Sequence, residues 1–258
     1  MISQEGLTQK GFFFSPGCTS GSGIKDESWR RVYSLLSHAE HLLEQSSSEL
    51  FRVDAITILK RAVDHRLRLL DEIYEFRRIP IGNKPSGNLE LLNYLGIVRP
   101  KMVQKLIEIR NSIEHEDTDP PGEEVCFDFL EFTWYFLRST DLLARRSIQT
   151  IHLRMPELEP QYYTVSIEFD PKGSWIPKLF AWVVPSMISE RPVDDWLTLK
   201  VERTITRGAM VAREGRPVDP TDWDLYRGKN ADDTHLSAEI RGPAHHLLKI
   251  YRIYFEAI

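Results

Sequence analysis

The run Ile109-Arg110-Asn111-Ser112-Ile113-Glu114-His115 brings a permanent cation, an amide and an imidazole together on one short segment. Arginine stays charged at any working pH and can hold a phosphate through two parallel hydrogen bonds, while histidine can give or take a proton near neutrality. Those groups suit metal-free cleavage of RNA, in which a ribose 2′-hydroxyl attacks the adjacent phosphate and leaves a 2′,3′-cyclic phosphate and a 5′-hydroxyl. In such a reaction Arg110 would stabilise the charged transition state, His115 would transfer a proton and Asn111 would orient the pair. The chemistry calls for no cofactor and no metal. His115 also lies near the negative end of its helix and precedes Glu116, Asp117 and Asp119. Both features favour the imidazolium, so its pKa is expected to move upward.

The helix that carries these groups is expected to open at about Pro100. Met102, Leu106, Ile109 and Ile113 recur at helical spacing and mark a face expected to enter a core. At roughly 100° per residue, Arg110 falls in line with Val103, Ile107 and Glu114, and His115 shares a third face with Asn111, about 140° from Arg110. A second copy of the helix would supply a facing wall. Val103 and Ile107 are therefore expected to form the seam of a homodimer. Arg99, Lys101 and Lys105, with Glu114 beside Arg110, are candidates to contact RNA or to support the pair. Lys60, Arg61, Arg66 and Arg68 are expected to add local positive potential on a neighbouring helix. A plain i,i+4 pairing of Arg110 with Glu114 is the structural alternative.

Around this helix the chain reads as a bundle from Asp26 to about Arg146, broken by glycine- and proline-containing stretches at 79–87 and 117–122. A first helix starts at Asp26 or Ser28. A second, long one carries Phe51, Ala55, Ile58, Leu59, Ala62, Leu69, Leu70 and Ile73 on its core side and ends before Pro80. A short helix spans 88–95. The last helix, about 123–146, has two apolar stripes, one through Val125, Phe129, Phe132 and Phe136 and one through Cys126, Leu130, Trp134 and Leu137. Beyond residue 150, Tyr163, Val165, Ile167 and Phe169 alternate with polar residues, as do Leu197, Leu199 and Val201. Both segments read as half-buried strands. Further strands are expected at 180–184 and 236–240. In the tail, Leu247, Ile250, Tyr251 and Tyr254 match helical spacing after Pro243, and a helix is favoured there, although the β-branched and aromatic content also suits a strand.

The arginine, the asparagine directly after it and the histidine five residues on resemble the Arg-x4-His motif of the HEPN superfamily, and residues 26–146 resemble its helical domain. The resemblance implies a metal-independent endoribonuclease, a homodimer with a composite cleft at paired motif helices, and a role as toxin or antiviral effector with RNA as substrate. It also implies a regulatory protein or antitoxin as a partner. Family members silenced by nucleotidylation carry a tyrosine two residues beyond the histidine, where this chain has Asp117. The alternative is a non-catalytic HEPN-like module that binds RNA, a nucleotide or a partner protein.

The fold expected is α+β, with a mobile N-terminal segment 1–25, a helical bundle 26–150 and a β-rich regulatory or recognition domain 151–258. A chain of 258 residues with 41% hydrophobic content can fill one or two cores. The net charge of -5 rules out a uniformly basic surface, so any nucleic-acid contact must be local. Two widely separated cysteines, Cys18 and Cys126, make no disulfide framework, no apolar run approaches a membrane span, and a cytoplasmic location without membrane contact is expected. His245-His246 and Asp232-Asp233 are adjacent pairs whose side chains should point apart. Trp175, Trp182, Trp196 and Trp223 are expected in a core.

Overall fold

Apolar residues three and four apart make Glu49–Tyr74 the longest helix of the chain, and its inward face carries Ala55, Ile58, Leu59, Ala62, Leu69, Leu70 and Ile73, all buried. Ser48 precedes it in extended conformation, and Glu75 closes it in the left-handed region (φ 44°) with its N–H bonded to the Asp71 carbonyl at 2.8 Å. A computed structural model describes residues 13–16, 19–21, 26–45, 48–99, 101–116, 119–154, 163, 165–187, 197–214 and 228–256, some by their backbone alone. The fold is α+β, helices first and strands later.

In chain order the elements are β1 (Phe13–Pro16), β2 (Thr19–Gly21), α1 (Asp26–Gln45), α2 (Glu49–Tyr74), α3 (Asn88–Tyr94), α4 (Lys101–Glu116), α5 (Glu123–Ser139) and α6 (Asp141–Arg145). They continue as β3 (Arg146–Ile148), β4 (Thr150–Arg154), β5 (Val165–Glu168), β6 (Lys178–Val183), β7 (Thr198–Thr206), α7 (Arg207–Glu214), β8 (Thr234–Arg241) and α8 (Ala244–Glu256). The chain divides into two compact units. One comprises Ser20–Arg77 and Asn83–Ser147, the helical unit. The other takes in Arg78–Gly82 and the chain from Ile148, together with strand β1. The units are therefore not consecutive blocks. Phe13–Pro16, within the stretch expected to be mobile, pairs with β4, and the loop 78–82 carries Ile79 and Ile81 into the sheet unit's core.

In the helical unit, α2 packs on α1, α4 and α5. Its Arg66 is fully buried. The guanidinium donates to the Leu137 carbonyl at 3.2 Å, to Thr140 Oγ1 at 3.1 Å and to Asp141 Oδ1 at 2.9 Å. Tyr33 of α1 donates to the other oxygen of Asp141 at 2.8 Å. Burial, and then the bond to Asp141, push the Tyr33 pKa up to about 12. This junction divides the helix expected over 123–146. Thr140 Oγ1 donates back to the Phe136 carbonyl at 2.8 Å, and a new helix begins at Asp141, which holds its carboxylate against Arg66. The buried side of α5 is Cys126, Phe129, Leu130, Thr133, Phe136 and Leu137, so the stripe expected through Trp134 is corrected: its indole is 41% exposed. Burial pushes the Cys126 thiol pKa up, as befits a structural cysteine.

Among the described residues the sheet unit forms a six-stranded antiparallel sheet, in the order β1-β4-β5-β6-β8-β7. Alternation brings Val165, Ile167, Leu179, Ala181, Leu236, Ala238 and Ile240 inward. Strand β7 is different. It lies at the sheet's edge with its register shifted between Val201 and Arg203, and Val201, expected to be half-buried, is exposed. The tail is the helix α8, whose Tyr251 and Tyr254 hydroxyls donate to the carbonyls of Trp175 at 2.7 Å and Ile148 at 2.9 Å. Trp175 and Trp182 are buried as expected, whereas Trp196 and Trp223 lie outside the described residues. Among the described residues no helix is long and apolar enough to cross a membrane.

Removing one partner of a buried ion pair leaves the other charge unsolvated, at a cost of about 3–5 kcal/mol. Arg66→Met and Asp141→Leu are each expected to lower the urea midpoint of the full-length protein markedly, and the double variant to recover much of the loss. Additive losses in the double variant would mean that the pair is not coupled.

Candidate functional site

Helix α4 is continuous from Lys101 to Glu116, so the backbones of Arg110, Asn111 and His115 lie on one uninterrupted helix, as the spacing requires. The side chains of Met102, Leu106, Arg110, Ile113, Glu114 and His115 lie outside the described residues, and so does Pro100. Asn111 is exposed, and so are Arg99, Lys101 and Lys105 around the first turns of the helix.

The inward face of α4 is set by Val103, which has no exposed surface. That corrects its assignment to a dimer seam, because a side chain enclosed in its own helical unit has none to offer a second copy. Ile107, about 40° further round, is half-buried, and Ile109, expected on the core side, is only half-buried too. The position of Arg110 falls about 20° from Val103 around the helix axis, two turns on.

Beside α4 lies a cleft of about 730 Å³. Gln104, Ile107 and Glu108 form one wall, Asp64, Leu67 and Arg68 of α2 a second, and Asn88, Leu89 and Glu90 of α3 close it. Gln104, Glu108, Asn111 and His115 follow one another at i, i+4, i+7 and i+11, so the stripe that borders the cleft at Gln104 and Glu108 continues along the helix, beyond that lining, to Asn111 and position 115. Sequence reasoning missed Gln104 and Glu108, although this spacing was the signal that could have found them. Asp64 is an ion-pair partner of Lys60. The Glu90 carboxylate folds back over Gly87, the N-cap of α3, where a Cβ would collide with it. This places an acid at the positive end of that helix.

The basic cluster expected on α2 is reduced by the fold. Arg66 is enclosed, Lys60 is paired, and Arg61 and Arg68 remain at the surface, Arg68 with Nε 3.3 Å from the Asp64 carbonyl. His65 Nε2 lies 3.1 Å from the Ser28 carbonyl, a contact that joins α2 to α1 and not to the cleft. In the sheet unit, Asp232 is exposed and Asp233 fully buried. Asp233 Oδ2 accepts from the Tyr163 hydroxyl at 2.9 Å and from the N–H groups of Lys229 at 2.5 Å and Asn230 at 2.7 Å. Burial alone would raise its pKa, but these hydrogen bonds outweigh it and the net shift is downward. The His245 and His246 rings do not point apart as expected: their centroids lie 4.0 Å apart, with the ring planes tilted by 43°, at the start of α8. Among the described residues, no group of three or more His, Cys, Asp or Glu side chains is placed to hold a metal ion.

In comparison with known proteins, no family model, no curated protein and no solved structure matches the chain.

Val103→Asp buries an unpaired carboxylate and is expected to cost several kcal/mol, whereas Ile107→Asp at the rim of the cleft is expected to be tolerated. Thermal unfolding of both variants checks this. A Val103→Asp protein that melts like the wild type but changes from dimer to monomer would restore the seam.

Proposed function

We propose that this protein is a metal-independent endoribonuclease of HEPN type, acting through Arg110, Asn111 and His115. The observation that carries the reading is the position of all three on one unbroken helix, late in a helical unit, whose preceding turn from Gln104 to Glu108 borders a cleft. Supporting it, Arg99, Lys101 and Lys105 are exposed around the first turns of the same helix, in a chain whose net charge is -5. In the reaction Arg110 grips the phosphate and offsets the charge that builds on it in the transition state. His115, protonated, delivers a proton to the leaving 5′-oxygen as the ribose 2′-hydroxyl loses its own proton to water, its oxygen bonds to phosphorus and the P–O5′ bond breaks. Asn111 orients the pair. RNA is the substrate, and the setting that fits best is a toxin or antiviral effector held in check by a regulatory protein, with the sheet unit as the recognition element. A homodimer remains part of this proposal, paired through a surface other than Val103.

One observation favours the second reading, a non-catalytic helical module that binds RNA, a nucleotide or a protein. Arg110 stands nearly in line with the enclosed Val103 and about 140° from His115, an alignment that suits a structural arginine.

The purified protein is expected to cleave single-stranded RNA in EDTA, and Arg110→Ala and His115→Ala each to lower the rate at least about a hundredfold while the protein stays folded. Cleavage retained by both variants would sink the assignment, as would cleavage that EDTA abolishes.

A further inference from the structure

Among the described residues of the helical unit, the large exposed apolar side chains are Leu50, at the start of α2, and three on α5 and α6. Trp134, Tyr135 and Leu142 are 41%, 63% and 52% exposed and lie along α5 and α6 at i, i+1 and i+8. Arginines accompany them. The Arg145 guanidinium stacks 3.8 Å from the centroid of the Trp29 ring, and Arg30 lies 5.2 Å from the same ring. Arg138 bridges two rings, at 5.2 Å from Tyr33 and 5.3 Å from Trp134. Trp134 meets Tyr135 edge-on at 4.9 Å.

A guanidinium lying on an aromatic face is held flat, with its N–H donors spread around the rim and able to meet an anion from the side. An exposed aromatic ring offers a face on which a nucleobase stacks whatever its sequence. Here the two alternate across adjoining helices. Charge favours an anionic partner. Arg30, Arg138 and Arg145 are all exposed, whereas Asp141, the carboxylate nearest Arg145, is held mainly by Arg66 and Tyr33. Two exposed acids share these helices: Glu27 precedes Trp29 and Arg30, and Glu131 lies one turn before Trp134 and Tyr135 on the same face.

We propose that the Trp29/Arg145 and Trp134/Arg138 stacks, with Tyr135, form a binding platform for single-stranded RNA. Bases rest on Trp134 and Tyr135, and the phosphates between them meet Arg138, Arg145 and Arg30. The choice of RNA rests on the ribonuclease reading. The platform is made of residues separate from Arg110, Asn111 and His115, so it would hold substrate outside the reacting groups. Being stacking and electrostatic, it selects for an unpaired strand and not for a sequence.

The test uses full-length protein and a fluorescein-labelled 2′-O-methyl oligouridylate of about twelve nucleotides, a length within the usual site sizes, which lacks a free 2′-hydroxyl and cannot be cleaved. Anisotropy is expected to show binding that weakens with salt. Trp134→Ala with Tyr135→Ala should weaken it at least about tenfold, and Arg138→Gln should weaken it and flatten its salt dependence, with melting temperatures near wild type. The proposal is overturned if the oligonucleotide does not bind, or if the folded aromatic and arginine variants bind it as the wild type does. It is overturned equally if there is no binding and Tyr135→Ala converts a dimer to a monomer, since the face would then be a contact between copies. Platform-dependent binding without cleavage of ordinary RNA would refute the ribonuclease reading and leave the platform standing.

Discussion

The buried contact between Arg66 and Asp141 is the constraint on which the helical unit turns. One guanidinium, enclosed in the packing of α2, ties that helix to the Leu137 carbonyl at the end of α5, to Thr140 at the break and to Asp141 at the start of α6. Tyr33 then ties α1 to the same carboxylate. A buried ion pair is weak evidence for net stability, because taking both charges from water costs about what their attraction returns. Its value here is directional. An arginine needs its donors met at set angles, so α1, α2 and the α5–α6 junction have one register in which the network closes. The opposite side of α2 carries Asp64, Leu67 and Arg68, which form a wall of the cleft beside α4. The network thus orients the helix that frames the candidate site, and at its outer end it holds the carboxylate between Arg66 and the stacked Arg145.

Much of the architecture was legible in the sequence because apolar period and chain punctuation agree. Asp26 begins α1, the 88–95 segment is helical as Asn88–Tyr94, the motif helix begins at Lys101, and Leu236, Ala238 and Ile240 face the core of the sheet. The ambiguous tail is a helix because its aromatic side, Tyr251, Tyr254 and Phe255, finds Trp175 and Phe169 to pack against. That decision belongs to tertiary packing and is absent from local sequence.

What escaped depended on partners far away in the chain. Arg66 read as one of four cations on a basic face, since nothing local marks it for burial; its partner lies 75 residues on. Thr140 looked like a position within a long helix until its hydroxyl joined that network. Trp134 fitted an apolar stripe, yet α5 turns that edge toward solvent and toward Arg138. Val103 and Ile107 looked alike on a helical wheel and part company because only Val103 is enclosed. The division of the chain was also only half visible: β1 and the loop 78–82 join the sheet unit from the helical side of the boundary, and pairing between distant strands leaves no mark in composition. In the sheet unit the same lesson holds for Asp233, one of two adjacent aspartates, which the chain buries and bonds through one oxygen to Tyr163 from 70 residues away.

The central claim is chemical: a helix bearing Arg110, Asn111 and His115 cleaves RNA by attack of its own 2′-hydroxyl. The most direct measurement is the identity of the ends, obtained by mass spectrometry of fragments that the purified full-length protein produces from a defined single-stranded RNA in EDTA. Fragments ending in 2′,3′-cyclic phosphate and beginning with 5′-hydroxyl are the predicted result. Fragments with 3′-hydroxyl and 5′-phosphate ends, or RNA left intact, would contradict it.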